Sequence, residues 1–250
     1  MTFSSIIIGP DYDFAIASVG NDFLTYDSIP ADQRELLLLS PGVDAIVLQD
    51  GDDSISDDAG SRIYFGNAGN DSLTGNEGAD TLVGGRDNDI LEGNLDNDVL
   101  FGNIGNDTLR GGGGRDIMFG GKNEDVLVGL SGEDLLFGDL GDDLLLGGDG
   151  DDTLTGGDGT DVFVIDEPGL GIDVITDFST FQTSGSLSGV DDKVRLPLGI
   201  AFENIVLQST GTSQTTIALA STGQPLAILQ NIAPSALSAA NFTITNPGTP

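Results

Sequence analysis

Gly102-Asn-Ile-Gly-Asn-Asp107-Thr-Leu-Arg110 is followed without a gap by Gly111-Gly-Gly-Gly-Arg-Asp116-Ile-Met-Phe119, and then by Gly120-Gly-Lys-Asn-Glu-Asp125-Val-Leu-Val128. In this register residues 66–164 divide into eleven consecutive nonads. Every nonad opens on Gly, from Gly66 to Gly156. Every nonad carries Asp sixth: Asp71, Asp80, Asp89, Asp98, Asp107, Asp116, Asp125, Asp134, Asp143, Asp152 and Asp161. The eighth residue is Leu in nine nonads, Met118 in one and Phe163 in the last. The second is Gly, Asn or Asp except at Leu130, and the fourth is Gly except at Asp87, Asp96 and Asn123. A short fixed period of this kind marks a solenoid, whose repeats bury an apolar face only by stacking on their neighbours. A disordered acidic tract has no reason to place an apolar residue eighth in every repeat.

The Gly, Asn and Asp residues of the first six positions suit a turn, because they accept positive φ cheaply. The last three positions suit a short strand. Side chains alternate along a strand, so the reliably apolar eighth residue faces the core while the seventh and ninth face outward. Two nonads then make one coil, with residues eighteen apart stacked on the same sheet. Eleven nonads give a roll roughly 26 Å long at ~4.8 Å per strand. No Pro occurs between Pro41 and Pro168, which suits an uninterrupted stack because proline would remove a donor from the ladder. Upstream the register weakens. Residues 39–47 keep Gly42, Asp44 and Ile46, residues 48–56 keep Gly51, Asp53 and Ile55, and residues 57–65 keep Gly60 and Tyr64 with Arg62 where Asp belongs.

Composition excludes several classes of function. The 250 residues include 41 acidic and 8 basic ones, a net charge of −33. Of the acids 34 are Asp and 7 Glu, a bias toward turn and ligand chemistry over mere solubility. Such charge argues against nucleic-acid binding, which needs Lys and Arg to displace counterions from phosphate. The absence of Cys and His excludes disulfides, thiolate and imidazole zinc sites, and cysteine or histidine catalysis. Apolar runs such as Ile6–Ile8 and Leu36–Leu39 fall far short of the ~20 residues of a membrane span. The N-terminus also lacks the basic and apolar regions of a secretory signal.

Gly-rich turns closing on Asp and followed by x-apolar-x resemble the RTX, or hemolysin-type, calcium-binding nonapeptide repeats. The likeness covers residues 66–164 strongly and 39–65 weakly. The stretch after it, Asp161-Val-Phe-Val, Gly171-Ile-Asp173-Val-Ile-Thr-Asp177-Phe178 and Asp191-Asp-Lys-Val, resembles the region that follows RTX arrays. The resemblance implies an all-β fold, a right-handed parallel β-roll with β-rich caps at both ends. It implies several Ca²⁺ ions, each held between the loops of nonads n and n+2. The eleven sixth-position aspartates would be the ligands, with loop carbonyls completing an all-oxygen shell, as Ca²⁺ prefers. Eleven nonads offer at most nine such pairs. Residues 66–164 carry 22 acids and 4 bases, a net of −18, which nine divalent ions would balance. Without ions, carboxylates ~4.8 Å apart repel by ~1 kcal/mol in water and by ~3–4 kcal/mol at an effective dielectric of 20. The chain is therefore expected to be expanded without calcium and folded with it.

On one sheet the outward ninth positions read Val83, Phe101, Phe119, Phe137, Thr155, and the seventh read Thr81, Val99, Ile117, Leu135, Thr153. That face is apolar in its middle. It suits either an aromatic ladder tolerated for β-propensity or docking of the chain's own flanks, a second protein or a cell surface. Residues 1–38 read as an N-terminal cap or divergent coils, with strand-like Ile6–Ile8, Phe14–Val19 and Phe23–Tyr26, a stray half-nonad at Gly20–Leu24, and a short helix near Ala31–Leu39. Residues 39–65 read as degenerate nonads. Residues 165–250 read as a C-terminal β-rich cap, uncharged from Asn204 onward. By resemblance this end also suits an uncleaved type I secretion signal, Ala236–Thr245 in particular. The expected location is extracellular or at the cell surface, with export that cleaves no N-terminal signal. The expected function is calcium binding by a secreted, non-catalytic structural or surface protein. The alternatives are a calcium-dependent module of an extracellular enzyme, or an adhesin.

Overall fold

Two corners per nonad set the winding. At second positions φ is +75° at Asn67, +79° at Asn94 and +79° at Leu130; at fourth positions it is +74° at Asp87, +75° at Asp96 and +80° at Asn123. Asn and Asp occupy this region at less cost than other residues with a Cβ. The sequence therefore meets the demand everywhere in the array except at Leu130. The computed structural model describes residues 50–56, 60–180, 191–209 and 213–244, and the backbone of the strands Ile6–Ile7, Ala15–Ile16, Phe23–Thr25, Leu37–Leu38 and Ala45–Val47.

The strands are longer than the expected three residues. Ile117–Lys122, for example, covers positions seven to nine of one nonad and one to three of the next. The chain stays extended across the nonad junction, and the turn shrinks to positions four to six. Both the eighth residue and the first-position glycine then face inward, so Met118 and Gly120 are buried while their neighbours are half-buried or exposed.

Alternate strands share a sheet, as expected. Leu91 stands against Leu109, and Leu100 against Met118, in parallel register eighteen residues apart. Among the described residues one sheet has ten strands and the other twelve. Between them the eighth positions form a single core row, Leu73, Leu82, Leu91, Leu100, Leu109, Met118, Leu127, Leu136, Leu145, Leu154 and Phe163, none more than 1% exposed. Tyr64 and Ile55 extend that row upstream, and Ile175 and Val194 extend it downstream.

The roll runs beyond the regular array at both ends. Ala45–Val47 pairs with Ile63–Ala68, and Phe23–Thr25 pairs with Ala45–Val47, all in parallel. Leu37–Leu38, expected within a helix, is instead a strand with Leu37 against Ile55. Backbone pairing with the neighbouring coil satisfies groups that a single helical turn would have left open; the rest of that expected helix lies outside the described residues. Ile6–Ile7 and Ala15–Ile16 pair antiparallel. Downstream, Asp173–Ile175 and Lys193–Leu196 continue the two sheets. The uncharged C-terminal segment then adds the antiparallel meander Ile205–Ser209, Gln214–Leu219, Pro225–Gln230, and the strand Phe242–Ile244. Ile217, Leu226, Leu229, Ile232 and Phe242 bury against the end of the core, as an end-cap must.

Candidate metal centre

The stacking brings all eleven predicted aspartates into two columns, one along each edge where the turns lie. In one column the backbone N–H of Asp71 donates to Asp89 Oδ1 at 2.8 Å, and the same bond joins Asp89 to Asp107, Asp107 to Asp125, Asp125 to Asp143 and Asp143 to Asp161. In the other it joins Asp80 to Asp98, Asp98 to Asp116, Asp116 to Asp134 and Asp134 to Asp152. The columns thus contain nine such intervals, five and four. Each carboxylate is held by the coil before it, so its orientation is fixed by backbone geometry.

The second oxygen is different. Oδ2 of every one of the eleven aspartates is buried without a hydrogen-bond partner. An unpartnered buried carboxylate oxygen is costly. The first-position glycines form the cradle around it: a Cβ on Gly66 would collide with Asp71 Oδ2 and with the carbonyl oxygen of Gly84 on the next coil. Any other residue there would fill the space into which the carboxylate and that carbonyl point. Orphaned carboxylate oxygens beside backbone carbonyls are the hard, all-oxygen donor set that suits Ca²⁺, and no nitrogen or sulfur ligand competes. Among the described residues no three carboxylates gather at one point, so backbone carbonyls have to complete any shell.

Burial pushes these carboxyls up from 3.8, to about 8 at Asp89 and Asp125 and to about 7 at Asp71, Asp98, Asp152 and Asp161. At Asp80, Asp107, Asp116 and Asp143 it pushes them to about 6, and Asp134 also rises. Loss of water is the main cause. The donated N–H of the neighbouring coil lowers each value, and at most positions nearby carboxylates raise it again.

The columns also hold residues outside the predicted eleven. Asp53 donates its N–H to Asp71 Oδ1 at 2.8 Å. Asp152 donates to Asp173 Oδ1 at 3.3 Å, and Asp161 to Asp192 Oδ1 at 3.0 Å. Asp53 shows the nonad register in the sequence, whereas Asp173 and Asp192 stand at spacings of 21 and 31 residues that no nine-residue period locates. A second, exposed ladder runs the opposite way through the fifth positions: Asn88 N–H donates to Asn70 Oδ1 at 3.2 Å and Asn106 N–H to Asn88 Oδ1 at 2.7 Å. The recurrence of Asn at this position, at Asn70, Asn88, Asn97 and Asn106, was a signal available in the sequence.

A family model described as the RTX calcium-binding nonapeptide repeat (4 copies) matches residues 63–91, 92–127 and 128–163. No curated protein matches the chain in sequence. Among solved structures the chain is similar to the solution structure of the AlgE6R3 subunit from the Azotobacter vinelandii mannuronan C5-epimerase, at 23% identity and a TM-score of 0.27, over 66% of this chain and 83% of that one. The stretch 63–163, wound into a parallel β-roll, is thus similar to an array of RTX calcium-binding nonapeptide repeats.

Proposed function

We propose that this chain is a calcium-dependent structural module that folds when it meets calcium outside the cell, with a structural or cell-surface role and no catalysis of its own. One observation carries the reading: the only carboxylate oxygens buried without a partner among the described residues are the Oδ2 atoms of the eleven sixth-position aspartates. Those residues would hold the ions, one carboxylate from each of two adjacent coils, with first-position carbonyls such as that of Gly84 beside them. The nine intervals between them set an upper limit of about nine ions. Calcium supplies two positive charges where the chain alone presents only oxygens.

The chain's own residues do the rest. Backbone N–H groups aim the carboxylates, glycines keep the cradle open, and the core row closes between the sheets. Like charges stacked in buried columns oppose that closure when nothing balances them. External calcium is about millimolar, which matches the ~10⁻⁴–10⁻³ M affinities of extracellular calcium modules. An RTX chain of this kind can cross the membrane unfolded and fold outside; in this reading Ala236–Thr245 is its secretion signal. The face bearing Phe101, Phe119 and Phe137 is its contact with a protein or a cell surface.

The test is a calcium titration of the full chain followed by hydrodynamic radius and circular dichroism, with fractionation of producing cells for location. Contraction and a gain of β-structure on adding millimolar calcium are expected. Equal β content in excess chelator and in calcium would overturn the reading.

A further inference from the structure

Eleven positions of the two columns are aspartates with an orphaned oxygen, but the described part of the second column does not begin with one. Ile63 stands against Thr81 and Tyr64 against Leu82, which puts Arg62 level with Asp80 in the sixth-position register. Its backbone makes the bond the aspartates make: Arg62 N–H donates to Asp80 Oδ1 at 2.7 Å. Its side chain is only 3% exposed, whereas Arg86, Arg110, Arg115 and Lys122, the basic residues of the array, all lie in solvent. A Cβ on Gly60 of the same loop would stand 3.9 Å from Arg62 Nη2, so the guanidinium lies inside the turn. The first column starts differently: there Asp53 occupies the corresponding place and donates to Asp71.

We propose that Arg62 is a tethered cation that takes the place of a metal ion beside Asp80 in the second carboxylate column. A guanidinium is charged at every accessible pH and carries only donors, so it answers carboxylate oxygens without supplying a ligand to calcium. The Arg62–Asp80 interval therefore takes no ion, while the Asp53–Asp71 interval on the other edge presents a carboxylate from each coil. It follows that the Arg62–Asp80 interval is balanced before calcium arrives.

The inference rests on the calcium reading above, and its test separates the two. Calcium per chain is counted by equilibrium dialysis at saturation for the full-length protein, Arg62→Asp and Arg62→Gln. Amide hydrogen exchange over residues 60–83 is followed for each in excess chelator. Arg62→Asp is expected to bind at least one more calcium than the parent. Arg62→Gln, which keeps the side-chain bulk and loses the charge, is expected to lose the residual protection that the parent keeps in chelator. Arg62→Asp that folds in calcium with the parent's count overturns the proposal. So does protection that Arg62→Gln leaves unchanged, which holds even if Arg62→Asp fails to fold. A parent that binds no calcium overturns the calcium reading itself.

Discussion

Asp107 donates its backbone N–H to Asp125 Oδ1 at 2.8 Å, while Oδ2 of the same Asp125 is buried with no partner. One carboxylate is thus half structural and half available. The half that bonds fixes where the other half points, and the pattern repeats along both columns.

Asp125→Asn separates the two halves. The amide keeps an oxygen for the Asp107 N–H and replaces the orphaned oxygen with an uncharged group. In chelator the variant should be more compact than the parent, because one buried charge is gone. In calcium it should be less stable by about 1–3 kcal/mol, the usual cost of spoiling a buried polar site, so the calcium midpoint of folding rises, by less than about twofold when 1.4 kcal/mol per decade is shared among about nine ions. Circular dichroism under both conditions checks the opposite signs; the same direction in both would contradict the assignment.

The metal-free chain should respond to pH in the direction opposite to ordinary acid denaturation. Burial raises the column carboxyls from 3.8 to between about 6 and about 8. The folded state therefore binds more protons than the unfolded state, so this contribution is fully present below 3.8 and is lost as pH rises through 6 to 8. In excess chelator the hydrodynamic radius should be smaller at pH 5 than at pH 8. In calcium, protons compete for the same oxygens, and the midpoint should shift to higher calcium as pH falls. A metal-free radius that shrinks with rising pH would contradict the burial of these groups.

Gly66 and Gly113 make a matched pair. A Cβ on Gly66 would collide with Asp71 Oδ2 and the Gly84 carbonyl, whereas one on Gly113 would find its nearest atoms, Asn94 O and Leu95 Cδ2, at 3.9 Å. Gly66→Ala should cost about 1–3 kcal/mol as overpacking does and should weaken calcium binding. Gly113→Ala should stay within about 0.5 kcal/mol. Calcium-saturated melting temperatures distinguish them.

Leu130 is a local defect in the winding. It holds φ at +79° and is 47% exposed, so its side chain gains little in return for a conformation that costs about 1–2 kcal/mol. Leu130→Asn should stabilise the calcium-bound roll by about 1 kcal/mol, read as a higher melting temperature. A lower one would mean the leucine makes a compensating contact.

The aromatic ladder has a role within the roll. Phe119 stacks on Phe101 at 5.1 Å and 4°, and on Phe137 at 4.9 Å and 9°. Phe119→Thr removes two stacked pairs worth about 0.5–1.5 kcal/mol each, and a corresponding loss of stability is expected. Replacing all three rings by Thr tests the proposed contact. Light scattering and surface attachment should change if the face meets a partner, and remain the same if the rings only support each other.

The repeat made the core row legible because an apolar residue eighth in every nonad can be buried by stacking alone, without knowing which sheet it joins. The eleven aspartates were legible as a set for the same reason. The strand length was not: the first-position glycine looked like part of the turn, and only stacking showed that it lies inside an extended segment, facing the carboxylate. A short helix near Ala31–Leu39 suits the sequence, but at Leu37–Leu38 the neighbouring coil decides the state.

What the sequence determined by itself is the period, and with it which residues share a side; periodicity fixes direction because each peptide unit repeats the same local geometry. What only the tertiary structure decided is what each residue meets. Which oxygen of Asp125 is satisfied, that Arg62 lies inside its turn, and that Asp173 and Asp192 continue the columns at irregular spacings all depend on contacts between coils. Those contacts join residues eighteen or more positions apart, and their geometry is set by the stack, not by the neighbours in the chain.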